Sequence, residues 1–270
     1  MKRILPVRRM IFLVSAVVIL FAEKTSFKEP GLDTIHTLFL GEEKVWVHVY
    51  KRPGTDITLI NLHDNENTAA EAGLSFIKKH GGRFIEIRHG RGREIVVRLN
   101  GKMNHFDPNR MFSDDGLRSS LKYFHNNTNE VFAYAVVFRD SVVNILNAEK
   151  NKVIISVHNN TPDKMTIHDF LPGEWYGRDS RKVFINPEQD HDNFFIVTDE
   201  ALFTVLSGRE YNVALLSENP PDRGMLIDFC SDLGALCVTV EAEHEKLAKQ
   251  EEMLEVLWEV LSEKGKESGQ

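Results

Sequence analysis

The sequence predicts an α/β fold, with a mostly parallel or mixed central sheet flanked by helices. Three observations predict it. Runs that are apolar almost throughout, at 57–62, 153–157 and 237–240, read as strands buried on both faces. These runs alternate with stretches whose apolar residues recur at helical spacing. Residues suited to chemistry, His63, His158 and Glu241, stand directly after the three runs. Open α/β sheets gather their functional groups just there, outside the carboxyl ends of the strands.

Taken in order, strands at 37–40 and 45–50 are joined by the polar turn Gly41-Glu42-Glu43. Pro53-Gly54 breaks the pattern before the buried strand 57–62. Ala69, Ala70, Ala72, Leu74, Phe76 and Ile77 give a helix over 66–80, which Gly81-Gly82 stops. Strands at 84–87 and 95–97 flank a basic turn from 88 to 93. Val131, Phe132, Ala135, Val136, Phe138 and Val142 predict a long helix over 129–148. After strand 153–157 the chain reads as loop to 192. Strand 194–198, helix 199–207 and strands 212–216 and 236–241 follow. A last helix over 243–263 sets Leu247, Met253, Leu254, Val256, Leu257 and Leu261 against a charged side. No Pro, Gly and Ser linker divides the chain, so 28–264 reads as one domain.

The composition, 42% hydrophobic and 27% charged, is that of a globular protein, and a net charge of -7 gives no general affinity for nucleic acid. The N-terminus departs from it. Lys2, Arg3, Arg8 and Arg9 precede thirteen uncharged residues, 10–22. That is short of the ~20 a spanning helix needs, and a basic start before a short apolar core reads as a secretory signal peptide. Leu20 stands where a small residue would precede a cut after Ala22, so an uncleaved anchor through 4–22 is the alternative. Either way the folded part is expected outside the cytoplasm, periplasmic or secreted, with the membrane touched only through that segment. Cys230 and Cys237 either pair in such a compartment or are two buried small apolar residues.

His63-Asp64-Asn65-Glu66 places a histidine and a glutamate three residues apart where a strand gives way to a helix. Their side chains point to one side, as two ligands of one zinc ion must. His158 supplies a third, leaving one position for water, whose pKa zinc lowers toward ~7. The plain alternatives are a strand-end histidine bonding a local carbonyl and a helix-start acid favoured by the dipole. His105, His125, His168 and His191 lie in polar surroundings and read as surface residues, and Asp190-His191-Asp192 as a loop.

The segment Leu62-His63-Asp64-Asn65-Glu66-Asn67-Thr68-Ala69 resembles the His-Gly-Asn-Glu-Thr segment of the succinylglutamate desuccinylase and aspartoacylase family, within the zinc carboxypeptidase superfamily. Val157-His158-Asn159-Asn160-Thr161 is similar to its second histidine motif, Leu-His-Asn-Thr-Thr. Asp107-Pro108-Asn109-Arg110-Met111-Phe112 is similar to its Asp-Leu-Asn-Arg-x-Phe motif, and Val238-Thr239-Val240-Glu241 to the strand ending in its catalytic glutamate. The resemblance implies a zinc carboxypeptidase-like, phosphorylase/hydrolase-like fold. It also implies one zinc ion on His63, Glu66 and His158, a substrate carboxylate on Asn109 and Arg110, and Glu241 as general base. Arg98 is the candidate cation for the developing oxyanion, with Arg88, Arg91, Arg93 and Lys102 read as solvated charges.

The chain departs from the family where Asp64 replaces the usual glycine and where Ala242-Glu243-His244 follows Glu241. Asp64 is thus a candidate outer partner of the site, and Glu243, two residues along the same strand face, an alternative base. No segment matches the tyrosine that some carboxypeptidases place near the substrate. The expected activity is zinc-dependent hydrolysis of an amide near a free carboxylate. A carboxypeptidase-like peptidase acting on small peptides suits the export signal. Deacylation of an N-acyl amino acid is the alternative, and a non-catalytic binder of peptides or acids is the reading from another class.

Overall fold

The computed structural model describes residues 21–23, 31–90, 92–147 and 153–267. The expected signal or anchor at 1–22 lies outside them, except Phe21 and Ala22. Those two belong to β1 (Phe21–Glu23), which pairs antiparallel with β2 (Leu32–Leu40). β3 (Glu43–Arg52) turns back on β2, and β4 (Ile57–Asn61), α1 (Asn67–His80) and β5 (Gly82–Arg88) follow. The hairpin β6 (Ile95–Leu99) and β7 (Lys102–Phe106) leads through a 3-10 turn, Pro108–Arg110, into α2 (Asp114–Tyr123) and α3 (Asn129–Leu146). β8 (Val153–Asn160), β9 (Ser180–Phe184), β10 (Phe194–Val197), α4 (Glu200–Gly208) and β11 (Val213–Leu216) come next. α5 (Leu226–Asp232), β12 (Leu236–Glu243) and α6 (Leu247–Glu267) complete the order.

Among the described residues ten strands form one sheet in the order β1-β2-β3-β5-β4-β8-β12-β10-β11-β9. Its centre, β5-β4-β8-β12, is parallel. Both margins are antiparallel except for β10 with β11, so the sheet is mixed. The physical reason is the connections: a short turn joins β2 and β3 at one margin, whereas α1 links the parallel pair β4 and β5.

Alternating residues of the central strands feed two cores. Leu59, Phe84, Ile155, Val157, Val238 and Val240 pack under α1, α4 and α6. Ile60, Ile85, Ile87, Ile154 and Cys237 pack on the other side, under α2, α3, α5 and the β6–β7 hairpin. His158 and Glu241 share the parity of Ile154 and Cys237, so they face the second side.

Where long apolar runs occur, the expected elements form, with ends shifted by a few residues. Besides β1, four elements do not stand out in the sequence. α2, DDGLRSSLKY, has only Leu117 and Leu121 as large apolar residues, and its start is fixed by the Ser113 hydroxyl accepting from the Gly116 N–H. β7 (KMNHF) and the sheet-edge strand β9 (SRKVF) are too polar to stand out, and α5 is under two turns long. Both cysteines are free and buried, on α5 and β12; the Cys230 thiol beside it and burial push the Cys237 thiol up. Among the described residues no helix is long and apolar enough to cross a membrane.

Candidate metal centre and substrate pocket

The site is built at the carboxyl ends of three neighbouring strands, β4, β8 and β12, with Glu241 directly beside His158 in register. Asn61 shapes the turn after β4: its Oδ1 accepts from the His63 N–H at 3.1 Å and its Nδ2 donates to the Glu66 carbonyl at 3.1 Å. Glu66 occupies the N-cap of α1 yet makes no side-chain cap, so its carboxylate is turned toward the histidines. The strand end carrying His158 is braced in its turn. Asn159 Oδ1 accepts from the Ala69 N–H at 2.8 Å, Asn159 Nδ2 donates to Gln250 Oε1 at 2.8 Å, and Gln250 Nε2 donates to the His158 carbonyl at 2.9 Å. This buried network ties α1, β8 and α6 together, and buried networks of this kind are stabilising only when fully satisfied.

His63, Glu66 and His158 converge with all three side chains at most 3% exposed. His63 Nδ1 lies 2.8 Å from Glu66 Oε1 and 3.3 Å from His158 Nδ1, which is 3.0 Å from Glu66 Oε2. The outer nitrogens are occupied: His63 Nε2 bonds Asp107 Oδ1 at 2.9 Å and His158 Nε2 bonds Ser156 Oγ at 2.7 Å. Two nitrogens and a carboxylate thus face one point, with each ring oriented from behind. Zinc bonds of ~2.0–2.1 Å in tetrahedral geometry set ligand atoms ~3.3 Å apart, close to the spacing found. The residues fit a zinc ion.

The same carboxylates and imidazoles set one another's charge. Burial alone would push the His63 imidazole down, but the Glu66 and Asp107 carboxylates outweigh it and raise it to about 9. Burial would raise Glu66 as well, yet the two histidines hold it well below the usual carboxylate range. Asp107 is also held low against its burial, by His63, by Arg93 and by the Asn109 N–H. The fourth acid behaves differently: burial pushes Glu241 up to about 7, with Glu66 adding to the rise and His158, Arg93 and His63 opposing it. A carboxyl group at that value is poised to exchange a proton near neutrality.

Glu66, His158, Glu241, Arg110 and Asn109 line one cavity of about 70 Å3, with Tyr176. Asn109 and Arg110 play unequal parts in it. The Asn109 Oδ1 accepts from the Leu226 N–H at 3.1 Å, fastening the 3-10 turn to α5. Arg110 is half-buried, donates from Nη2 to the Tyr176 hydroxyl at 2.9 Å, and makes no ion pair among the described residues. Gly224, at φ +67°, lets the neighbouring loop lie against this turn; a Cβ there would stand 2.5 Å from the Arg110 carbonyl oxygen.

Arg98 is not brought to the site. It lies on β6 and pairs with Glu43 at the β2–β3 turn. Arg93, expected as a solvated charge, stands at the site instead: its Nη1 meets Glu66 Oε1 at 2.6 Å and its Nη2 lies 3.7 Å from Asp107 Oδ2. Asp64 does not touch the metal ligands either. Its Oδ2 accepts from the backbone N–H groups of His89 and Gly90, anchoring the turn that delivers Arg93. Glu243 sits near Lys246, at 3.8 Å, and is not among the residues lining the cavity, whereas Glu241 is. Tyr176 went unread because it sits in an irregular segment; its pairing with Trp175 in a polar stretch is the one signal the sequence offered.

No family model and no curated protein matches the chain. Solved structures do. The chain is similar to the ectoine utilization protein EutE (DoeB) from Ruegeria pomeroyi at 14% identity, over 86% of this chain and 66% of that one, with a TM-score of 0.41. It is similar to a succinylglutamate desuccinylase from Silicibacter sp. TM1040 at 12% identity, over 86% and 66%, with a TM-score of 0.42. It is similar also to thrombin activatable fibrinolysis inhibitor (TAFI) at 14% identity, over 78% and 61%, with a TM-score of 0.38. The chain therefore spans less than two thirds of the length of these structures, and at such scores the assignment of function rests on the site itself.

Proposed function

We propose that this chain is a zinc-dependent hydrolase that cleaves an amide bond beside a free carboxylate, with a carboxypeptidase-like peptidase as the subclass. The observation that carries this reading is that Glu66, His158, Glu241 and Arg110 line one small buried cavity. His63, Glu66 and His158 would hold the ion, which when bound lowers the pKa of a water toward ~7 and polarises a carbonyl.

The remaining work falls to the chain. Arg110, a planar cation without an acidic partner among the described residues, would take the substrate carboxylate through two parallel hydrogen bonds and so set the amide beside Glu241. Glu241 would accept a proton from the attacking water and return it to the leaving nitrogen. Arg93, already between Glu66 and Asp107, would be the cation for the negative charge that develops on the carbonyl oxygen. Action outside the cytoplasm is part of the proposal and rests on residues 1–22 of the sequence.

The test is Glu241→Gln in the zinc-loaded chain, screened against short peptides and N-acyl amino acids. A fall in kcat of ~10²–10⁴-fold with zinc content kept is expected. Full activity in that variant would remove Glu241 from the mechanism. Turnover of N-acyl amino acids but not of peptides would move the subclass to a deacylase.

A further inference from the structure

Tyr123 and Trp175 are the most exposed large apolar side chains among the described residues, at 78% and 72%, with Met103 next at 46%. Both line the same cavity, of about 510 Å3, which shares Arg93, Asp107 and Arg110 with the 70 Å3 pocket and so adjoins it on the outer side. Scattered exposed apolar residues need no explanation, but two large rings on the wall of one cavity do.

Neither ring stands on slack chain. The Trp175 carbonyl accepts from Arg223 Nη2 at 2.8 Å, and Arg223 is itself fixed by the fully buried Asp179 through bonds of 2.6 and 2.8 Å. The same guanidinium lies 5.8 Å from the centre of the Trp175 ring and 5.0 Å from that of Tyr176. Tyr123 packs edge-on against Phe124, with centres 5.0 Å apart, and Phe124 lines the cavity too. Gly116, in the first turn of the helix carrying Tyr123, sits so close to Gly224 that a Cβ there would be 2.5 Å from the Gly224 Cα. Both rings thus stand on braced backbone at the wall of the cavity.

Volume gives the reason. The inner pocket, of about 70 Å3, is several times smaller than the cavity beside it. The outer cavity falls within the ~300–1,000 Å3 of ordinary ligand sites. Its charges are mixed, Arg93, Arg110 and Arg223 against Glu94, Asp107 and Asp222, so charge alone selects no one ligand. The apolar ring faces are its distinguishing chemistry, and flat rings pack on them with offset or edge-on geometry.

We propose that Tyr123 and Trp175 form a ring-binding subsite for the part of the substrate beyond the scissile amide, so that the natural substrate is a ring-bearing acylated amino acid or short peptide rather than a small-acyl one. This deepens the amide-hydrolase reading and rests on it. The ring is an aromatic group or a sugar, whose apolar faces pack alike.

The test uses the full zinc-loaded chain and N-acetyl, N-benzoyl and N-acetylmuramoyl derivatives of a panel of amino acids. The parent should prefer one ring-bearing series over N-acetyl by tenfold or more in kcat/KM, carried by KM. Tyr123→Ala and Trp175→Ala should each cut that preference about tenfold, and Trp175→Phe should restore most of it. Preference for benzoyl identifies an aromatic ring, and for muramoyl a sugar. In parallel, Trp emission is titrated with each compound in the parent and in Trp175→Phe. If nothing is hydrolysed but ring-bearing compounds alter Trp175 emission and N-acetyl ones do not, the subsite stands and the hydrolase reading falls. Equal kcat/KM for acetyl and ring-bearing compounds, a preference that survives both alanine variants, or no emission change where nothing is hydrolysed, overturns the subsite.

Discussion

Among the described residues two groups bring histidine and carboxylate side chains within ligand distance of one another, and they differ in burial and in what holds them. His63, Glu66 and His158 are buried at the ends of neighbouring strands, and a partner sits behind each imidazole. Asp163, His191 and Asp192 lie on loops, with the Asp163 side chain 82% exposed and His191 42% exposed. There the His191 Nε2 already bonds the exposed Asp163 Oδ1 at 2.9 Å, and no strand end holds the ring in place. Asp192 is spent on the Asp163 backbone N–H, at 3.1 and 3.2 Å. Proximity of ligand atoms is common to both. What separates them is whether the inward lone pairs are left for an ion while other groups hold the rings.

The largest expected effect tests that contrast directly. The His63→Ala/His158→Ala double variant should fall from one equivalent of zinc per chain to none by elemental analysis, and Asp163→Ala/His191→Ala should keep it. The reverse result would mean that exposure does not disqualify the loop group and that the buried one has another use.

Next in size is a contrast among buried carboxylates. Glu66 and Asp107 are held low by cationic neighbours, whereas the Asp228 oxygens have no hydrogen-bond partner of ordinary geometry. Burial pushes Asp228 up to about 7; Asp179 and Asp222 add to the rise, and the Met225 N–H and Arg110 oppose it. An acid whose folded pKa is raised contributes no penalty below its unfolded value near ~4 and costs stability increasingly as pH rises to 7. At ~1.4 kcal/mol per unit over about three units, the cost reaches up to ~4 kcal/mol. Asp228→Asn should therefore gain stability relative to the parent between pH 5 and pH 8, by urea denaturation. An identical difference at both pH values would show that the carboxyl does not titrate there.

A smaller effect is expected behind the metal. Asp107→Asn keeps a partner for His63 but weakens its basicity, and should cost ~10–100-fold in zinc affinity by competition with a chelator. Unchanged affinity would reduce Asp107 to a brace for the 3-10 turn. The smallest concerns the exposed pair: Asp163→Asn should move stability by no more than the ~0–1 kcal/mol usual for surface ion pairs, and a larger loss would show that the loop group is more than a surface contact.

The parts of the site legible in the sequence were those in which one short segment fixes both position and direction. His63 and Glu66 sit on either side of a strand-to-helix turn, and His158 and Glu241 continue buried strands whose parity sets their face. Arg93 and Arg98 show the opposite case. Arg93 ends the basic turn and Arg98 lies five residues on, and no local pattern says which of them reaches the site. The difference arises because Asp64 anchors that turn near the strand ends while Glu43, on another strand, holds Arg98 away. Tyr176 reaches Arg110 across sixty-six residues of chain, a distance over which spacing carries no information.

By itself, then, the amino-acid order determined which strands are buried on both faces, where they end, and which ligand types stand at those ends, because periodicity and side-chain direction are local properties of a strand or a helix turn. Only the tertiary structure decided which arginine stands beside His63 and Glu66, that Asn109 fastens the turn while Arg110 makes no ion pair among the described residues, and that Tyr123 and Trp175 line the same cavity. Those outcomes depend on which distant segments pack together, and packing follows from the whole buried surface rather than from any short stretch of sequence.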